Sequence, residues 1–351
     1  LAVRPPGSAP DRALDLDGFF GLHPDGARLL RPYGDGQLLF VHASGLAGPD
    51  RSHFDAQKRM ETATPVAQQG FLNSGWLGRH LQTASPAGAG GIRGLGVGNL
   101  LAQTLGGAPE TLPIKDIGKF SFPGRNASRD ERRELLDQQY DSAPPLLAAS
   151  ADSSLLAIDL LAAVDYGNYV EAPGAAYPDT TFGKALRQVA ALIKADIDLE
   201  AAQINLGGWD HHSAQGVIGG QFADHFEELA SAIEAFYVDL EGTGFGYTLM
   251  THTEFGRRIR PNSNEGTDHG FGSCMMLMGP SVVGGRVLAD WPGLAPESSN
   301  GAGDGDQVNG DLAVTIDWSD IAAEVLERRA GGADLGAVFP GYTPTFRDVV
   351  V

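Results

Sequence analysis

The stretch TFGKALRQVAALIKADIDLEAAQINLGG (181–208) contains a helix pattern followed directly by a strand pattern. In its first part, Leu186, Val189, Ala190 and Ile193 recur every three or four residues, which predicts one apolar face of a helix over 181–197. Its last part, AAQINLGG, is a short apolar run that ends at two glycines, which is typical of a buried strand. The stretch therefore predicts a helix that leads into a strand, the repeating unit of α/β proteins.

The same alternation recurs along the chain. Further strands are predicted at QLLFVHAS (37–44), GYTLMTHT (246–253) and SCMMLMG (273–279), and further helices at 153–166, 221–240 and 319–329. This order predicts an α/β fold with a mostly parallel central sheet and helices on both faces. The Gly-rich stretches 85–99 and 292–311 are predicted to be loops that are either mobile covers or insertions near a binding face. With no internal repeat and no domain boundary visible, we expect a single domain over residues 1–351.

Composition excludes several classes of function. The 351 residues include 25 Lys and Arg against 44 Asp and Glu, a net charge of −19 that disfavours binding to nucleic acid or anionic membranes. No apolar run approaches the roughly 20 residues of a membrane span. A single cysteine, Cys274, excludes an intrachain disulfide and a cysteine-based zinc site. We expect its thiol to be buried and structural.

Polar residues cluster beside the ends of the predicted strands. They are Ser52 and His53 after the first strand, Asp210, His211 and His212 after the second, Glu254 after the third, and Asp268 and His269 before the fourth. Because ligands bind at the carboxyl ends of strands in α/β sheets, we expect these residues to converge at one edge.

Carboxylates and imidazoles without a thiolate suit Zn, Mn, Fe or Mg. In an extended segment Asp210 and His212 lie on the same side, whereas His211 points the other way. Other interpretations stay open: Ser52 is either a nucleophile or the N-cap of a helix over 55–63, and the Gly-flanked Asp268–His269 pair is compatible with turn chemistry alone. His42, on a predicted strand, is expected to be a core or edge histidine whose hydrogen bonds are satisfied.

Six motifs together resemble those of the DUF1501 family over essentially the whole chain. They are RSHFDAQ (51–57), GWLGRHL (75–81), GGWDHHSAQ (207–215), THTEFGRR (251–258), GTDHGFGS (266–273) and DLAVTIDWSDIAAEVL (311–326). The family is grouped with the alkaline-phosphatase-like superfamily, which includes sulfatases. The resemblance thus implies an alkaline-phosphatase-like fold and an exported, periplasmic or extracellular protein.

By this resemblance the chain is similar to metal-dependent hydrolases of phosphate or sulfate esters. The implied metal ligands are Asp210, His212, Glu254, Asp268 and His269, and the implied catalytic residues are Ser52, His53 and Arg257. The cofactor would be a divalent cation (Zn, Mn, Fe, Mg or Ca), and the substrate a small-molecule or polysaccharide ester. Ser52, or water activated at the metal, would attack the ester, with Arg51 or Arg257 stabilising the oxyanion.

The chain departs from the family pattern at three places, and the last two departures favour a second interpretation. His211 replaces the usual Thr, and Phe271 replaces a second His of the GTDHG motif. The chain is also expected to lack the family's first N-terminal strand, whose acid holds metal in the superfamily. The alternative function is a non-catalytic secreted assembly or carbohydrate-binding protein that retains the fold. Homo-oligomerisation is compatible with both interpretations.

Overall fold

The computed structural model describes residues 1–48, 50–64, 72–88, 91–108, 110–294 and 311–351. Most of the loop predicted at 292–311, and residues 89 and 90 of the loop predicted at 85–99, lie outside these described residues. The strands are β1 (Leu14–Asp15), β2 (Gly21–Leu22), β3 (Leu38–Gly45), β4 (Gly94–Gly96), β5 (Thr111–Pro113), β6 (Ala201–Gln203), β7 (Leu249–Thr251), β8 (Ser273–Met278), β9 (Arg286–Leu288) and β10 (Ile316–Asp317). The helices are α1 (Leu30–Gly34), α2 (His53–Thr62), α3 (Trp76–Thr83), α4 (Arg129–Asp141), α5 (Pro145–Ala163), α6 (Thr181–Lys194), α7 (Gln221–Leu240), α8 (Trp318–Arg329) and α9 (Leu335–Val338).

The largest sheet among the described residues has five strands and is built around β3. On one side of β3, β9 and β10 pair with it in parallel along different parts of its length. On the other side, β8 pairs with it antiparallel, and β7 then pairs antiparallel with β8. Four strands therefore run in one direction, and only β8 runs against them.

A second sheet of three strands has the order β5-β4-β6 and is parallel throughout. A short antiparallel ladder joins β1 to β2. The predicted α/β class is thus confirmed, and one sheet is parallel. The prediction of a single, mostly parallel central sheet is not confirmed, because the described strands divide between a mixed sheet and a parallel one.

The core lies on both faces of the five-stranded sheet. Successive side chains of a strand point to opposite faces, so β3 and β8 divide their apolar residues between two clusters. Leu38, Phe40, Met276 and Met278 pack on one face against the apolar sides of α6 and α7. Leu39, Val41, Met275 and Leu277 pack on the other face with Trp318 and Ile321 of α8. Helices therefore cover both faces of this sheet, as predicted.

Local sequence accounts for where the helices begin and end. The predicted helix over 221–240 coincides with α7. At α8 the Asp317 carboxylate accepts a hydrogen bond from the backbone N–H of Ser319 at 2.8 Å, and Arg328 and Arg329 lie in the last turn. None of the helices in the described part of the chain is long and apolar enough to cross a bilayer.

Cys274 is exposed, contrary to the expectation of a buried residue, although burial around its thiol raises the pKa to about 12. It lies opposite His42 across the β3–β8 ladder, near the end of β3 and the beginning of β8. The residues that pack into the two core clusters begin at Met275, so Cys274 stands outside the part of β8 that the helices cover.

Candidate metal centre

The described structure brings most of the predicted site residues to one edge of the five-stranded sheet. His53 follows β3 and Glu254 follows β7, so both lie at carboxyl ends of strands. Asp268 and His269 precede β8, and because β8 is antiparallel its beginning lies at that same edge. Asp210 and His212 arrive on the segment that leaves β6.

The carboxylate of Asp210 is the centre of this group. Its Oδ1 lies 3.0 Å from the Nε2 of His269 and 3.0 Å from the Nε2 of His212. Its Oδ2 lies 3.3 Å from the Nε2 of His53. The Nε2 atoms of His212 and His269 are themselves 3.0 Å apart. One ligand atom each from His53, Asp210 and His269 lie within 4.8 Å of one another, which is compact enough for a single metal ion.

Each of the three histidines is held through its other ring nitrogen. The Nδ1 of His53 lies 2.8 Å from Oε1 of Glu254, and the Nδ1 of His212 lies 2.9 Å from Oδ1 of Asp268. The Nδ1 of His269 lies 2.8 Å from the backbone oxygen of Arg51. A carbonyl or ionised carboxylate only accepts hydrogen bonds, so these partners assign the proton to Nδ1. In a neutral ring the Nε2 lone pair then faces Asp210, whereas in a protonated ring Nε2 donates a hydrogen bond to the Asp210 carboxylate.

Electrostatic effects follow these contacts. Burial raises the pKa of Asp210, but hydrogen bonds from Arg257, His269 and His53 outweigh it and lower the pKa to about 2. Burial lowers the pKa of His53, but its hydrogen bonds to Glu254 and Asp210 raise the pKa overall. Hydrogen bonds from Asn262 and His212 lower the pKa of Asp268. The carboxylates of Asp210 and Asp268 are therefore ionised at neutral pH.

Arg257 is fixed beside Asp210. Its Nη1 donates to Oδ1 of Asp210, its Nη2 donates to the backbone oxygen of Thr267, and its Nε donates to the Thr267 hydroxyl at 3.2 Å. Arg51 is differently placed, because it forms an ion pair with Asp311 and its guanidinium lies 4.4 Å from the centre of the Phe271 ring. Of the two arginines predicted to assist, Arg257 is the one in contact with Asp210.

The two residues that flank His53 and His212 have local roles. The Ser52 hydroxyl accepts a hydrogen bond from the backbone N–H of Asp55 at 3.4 Å, in the N-cap position of α2. The nucleophile role of Ser52 stays a prediction. His211 is buried, and its ring packs near the rings of Trp209, Phe222 and His225. It thus packs among aromatic rings rather than with the Asp210 group.

Glycines permit the close approach of the loops that carry the site. A Cβ on Gly266 would lie 2.3 Å from the backbone carbonyl carbon of His212, so only glycine lets the Asp268 loop cross the Asp210 loop there. Gly208 has a φ of +92°, and a Cβ there would lie 2.4 Å from Nε2 of His225. Glycine is therefore required at the end of the 201–208 segment, where the chain turns towards Asp210.

Sequence reasoning missed two residues that support the centre. The Nδ2 of Asn262 donates to both the backbone oxygen of His212 and Oδ1 of Asp268, each at 2.9 Å. The Thr267 hydroxyl donates to Oε1 of Gln215 at 2.7 Å and accepts from Arg257. An asparagine or threonine in a polar loop gives no pattern that would identify such a role, although Thr267 lies within the GTDHG motif.

Comparisons with known proteins identify the family but no reaction. No curated protein and no solved structure matches the chain. One family model, described as a protein of unknown function (DUF1501), matches residues 42–323, a range that contains every residue of the Asp210 centre. The chain therefore belongs to the DUF1501 family.

Proposed function

We propose that the protein binds a divalent transition metal through His53, Asp210 and His269, with His212 as a fourth ligand, and hydrolyses phosphate or sulfate esters there. One observation carries the proposal: the Nε2 atoms of three histidines, each fixed at Nδ1, face one carboxylate at 3.0 to 3.3 Å. Lone pairs that face an ionised carboxylate repel it unless a proton or a cation lies between them.

The donor atoms fit a transition metal. Ligand atoms that lie about 2.0–2.1 Å from a tetrahedral zinc ion are about 3.3 Å from one another. This is close to the 3.0 to 3.3 Å between the Asp210 carboxylate oxygens and the Nε2 atom of each histidine. Three imidazoles and one carboxylate suit zinc, iron or manganese, whereas magnesium and calcium prefer oxygen ligands. Glu254 and Asp268, predicted from the resemblance as ligands, are proposed instead to orient His53 and His212.

Charge supports the same proposal. In the described structure, Arg257 contacts Asp210 and the charge of Arg258 acts on Asp268. With neutral histidines, the three carboxylates of Asp210, Glu254 and Asp268 outnumber these two guanidinium groups, which leaves an excess of negative charge at this edge. A bound divalent cation would balance it and would attract an anionic ester to a protein whose net charge is −19.

The residues around the centre suggest how an ester would be handled. When bound, the metal supplies positive charge that polarises the ester and activates water. Arg257 presents N–H donors beside Asp210, where they would stabilise negative charge that develops on an ester oxygen. Because the Ser52 hydroxyl caps α2, we favour water as the nucleophile. The alkaline-phosphatase-like fold and export are part of this proposal and rest on the motif resemblance.

Metal analysis tests the first half of the proposal. The protein would be purified without chelator, and its zinc, iron and manganese content measured by inductively coupled plasma mass spectrometry. We expect about one metal ion per chain in the wild type, and a loss of at least tenfold in the His53→Ala/His269→Ala double variant. Asp224→Asn, an exposed carboxylate in the first turn of α7, serves as the control and should retain the metal. A wild type that binds no metal, even after zinc is added, would overturn the proposal.

Hydrolysis tests the second half. The metal-loaded protein should hydrolyse p-nitrophenyl phosphate or p-nitrocatechol sulfate, and Asp210→Asn should abolish turnover while Asp224→Asn does not. Metal binding without hydrolysis of either ester class would overturn the hydrolase and favour the non-catalytic alternative.

A further inference from the structure

One aromatic ring packs directly against two of the proposed metal ligands. The ring centre of Phe255 lies 4.9 Å from that of His53, at a tilt of 42°, and 4.6 Å from that of His269, at a tilt of 34°. The rings of His53 and His269 lie 4.4 Å apart and meet edge to face. Phe255, His53 and His269 therefore form one packed group of rings, which we call the ring triad.

Phe255 is buried, but it is not part of the hydrophobic core. It is only 8% exposed, and it belongs to neither of the two apolar clusters on the faces of the five-stranded sheet. Its two ring partners among the described residues are imidazoles. A buried phenylalanine ordinarily packs among apolar side chains, because contact with them is what stabilises its burial. The surroundings of Phe255 thus indicate a role in the metal centre rather than in the core.

Backbone pairing fixes Phe255 relative to His269. Gly270 donates a hydrogen bond from its N–H to the backbone oxygen of Gly256 at 2.8 Å. Arg257 pairs with His269 in an antiparallel bridge. The segment that carries Phe255 is therefore joined to the segment that carries His269, and the two side chains meet as neighbours across this pairing.

The ring triad adds a constraint that the hydrogen bonds at Nδ1 do not supply. Nδ1 of His53 is held by Glu254, and Nδ1 of His269 is held by a backbone oxygen, each at 2.8 Å. A metal would bind Nε2, at another corner of the ring, and the last torsion of a histidine side chain has a broad distribution. Packing against the face of the ring restricts that torsion. Phe255 therefore fixes the planes of both imidazoles.

The ring triad also covers one side of the centre. The side chains of Asp210 and His212 are 43% and 45% exposed, whereas that of His269 is 20% exposed and Phe255 is 8% exposed. The centre is thus open to solvent at Asp210 and His212 and covered by an apolar ring at His269. An apolar wall binds no water, so it limits the number of water ligands that an ion takes up on that side.

We infer that Phe255 is a positioning residue of the metal centre, and that the ring triad strengthens the preference of the site for zinc over manganese. Zinc binds nitrogen and oxygen ligands in a four-coordinate arrangement, whereas manganese suits six oxygen ligands that include water. Imidazoles in fixed planes and one covered side favour the smaller number of ligands. The inference rests on the metal-binding half of the proposed function and not on ester hydrolysis.

The test compares zinc and manganese binding by the wild type, Phe255→Leu and Phe255→Tyr. Leucine keeps an apolar side chain but removes the flat ring, whereas tyrosine keeps the ring. Each affinity would be measured by competition with a chromophoric chelator. The ratio of the zinc affinity to the manganese affinity should fall about tenfold in Phe255→Leu. Phe255→Tyr should retain most of the wild-type ratio.

Cobalt supplies a readout that a loss of stability does not imitate. Cobalt(II) absorbs visible light strongly with four ligands and weakly with six, so the absorption per bound ion reports the coordination number. This absorption should be severalfold weaker in Phe255→Leu than in the wild type or Phe255→Tyr. Phe122→Leu is the matched control, because Phe122 is 7% exposed and its ring packs against Arg132. It should change neither the absorption per bound ion nor the affinity ratio.

The outcomes separate this inference from the proposed function. An unchanged affinity ratio and unchanged cobalt absorption in Phe255→Leu would overturn the positioning role, even if the wild type hydrolyses esters. Equal changes in Phe122→Leu would overturn it as well. A lowered ratio and weaker absorption in Phe255→Leu alone, together with no hydrolysis of either ester class, would uphold the positioning role and overturn the hydrolase. A wild type that binds neither zinc nor manganese would overturn both.

Discussion

Replacement of Glu254 by Gln tests whether the carboxylates behind the histidines orient metal ligands or are ligands themselves. Oε1 of Glu254 lies 2.8 Å from Nδ1 of His53, and a glutamine retains an acceptor oxygen at that position while it removes the charge. If Glu254 only orients His53, the expected loss of zinc affinity in Glu254→Gln is about tenfold, or about 1.4 kcal/mol. Glu254→Ala removes the acceptor as well and should cost about a hundredfold, or about 2.7 kcal/mol.

The assay is competition for zinc between the protein and a chromophoric chelator at fixed pH. Glu227→Gln, which neutralises an exposed glutamate on α7, controls for the change in net charge and should leave the affinity unchanged. A loss of about a thousandfold or more in Glu254→Gln would refute the reasoning, because that is the effect of removing a direct ligand. A zinc affinity of Glu254→Ala equal to that of the wild type would also refute the reasoning, because it would show that Glu254 does not orient His53.

Three further predictions concern residues around the centre and in the core. Ser52→Ala should lower the free energy of unfolding in urea by about 1 kcal/mol through loss of the N-cap, with zinc content retained; lost turnover at full zinc content would instead identify a nucleophile. Gly266→Ala should destabilise the fold by roughly 1–3 kcal/mol in the same assay and lower zinc content, since the added Cβ meets the backbone of His212. Burial raises the pKa of Asp239, but hydrogen bonds from Lys194 and Tyr169 outweigh it and lower the pKa. The contribution of Asp239 to the free energy of unfolding is therefore complete above its ordinary pKa of about 3.9, and it is lost as pH falls through the lowered value. The free energy of unfolding of Asp239→Asn should consequently fall less steeply with decreasing pH than that of the wild type.

Sequence patterns predict elements well where the signals are local. The range 221–240 coincides with α7, because its apolar spacing is regular throughout and Gly220 precedes it. The strand predicted over 201–208 extends only from Ala201 to Gln203. A strand ends where its partner ends, and the partner of β6 is β4, of only three residues, Gly94–Gly96. Nothing within 201–208 gives the length of a strand about a hundred residues earlier.

The membership of the candidate site is easier to predict than the roles of its members. His53, Asp210, Glu254 and His269 all lie in the described cluster, because the ends of strands gather polar loops at one edge. The roles of the carboxylates depend on side-chain directions in irregular loops. These directions decide which carboxylate faces the histidine Nε2 atoms and which one contacts a histidine Nδ1 from behind the ring. His53, predicted to be catalytic, is thus proposed here as a ligand, and Glu254 as its support.

The direction of β8 is the feature that joins the motifs into one centre. The RSHFDAQ and THTEFGRR motifs follow their strands, whereas GTDHGFGS precedes the strand that it serves. In a wholly parallel sheet a residue before a strand lies at the opposite edge, one strand length away. For the six residues of β8 that length is about 20 Å, too far for His269 to lie 3.0 Å from Asp210. The rule that ligands bind at carboxyl ends predicts the right edge for His53 and Glu254. For Asp268 and His269 the rule holds only because β8 is antiparallel to the other strands. The antiparallel strand places the loop that precedes it beside the Asp210 carboxylate.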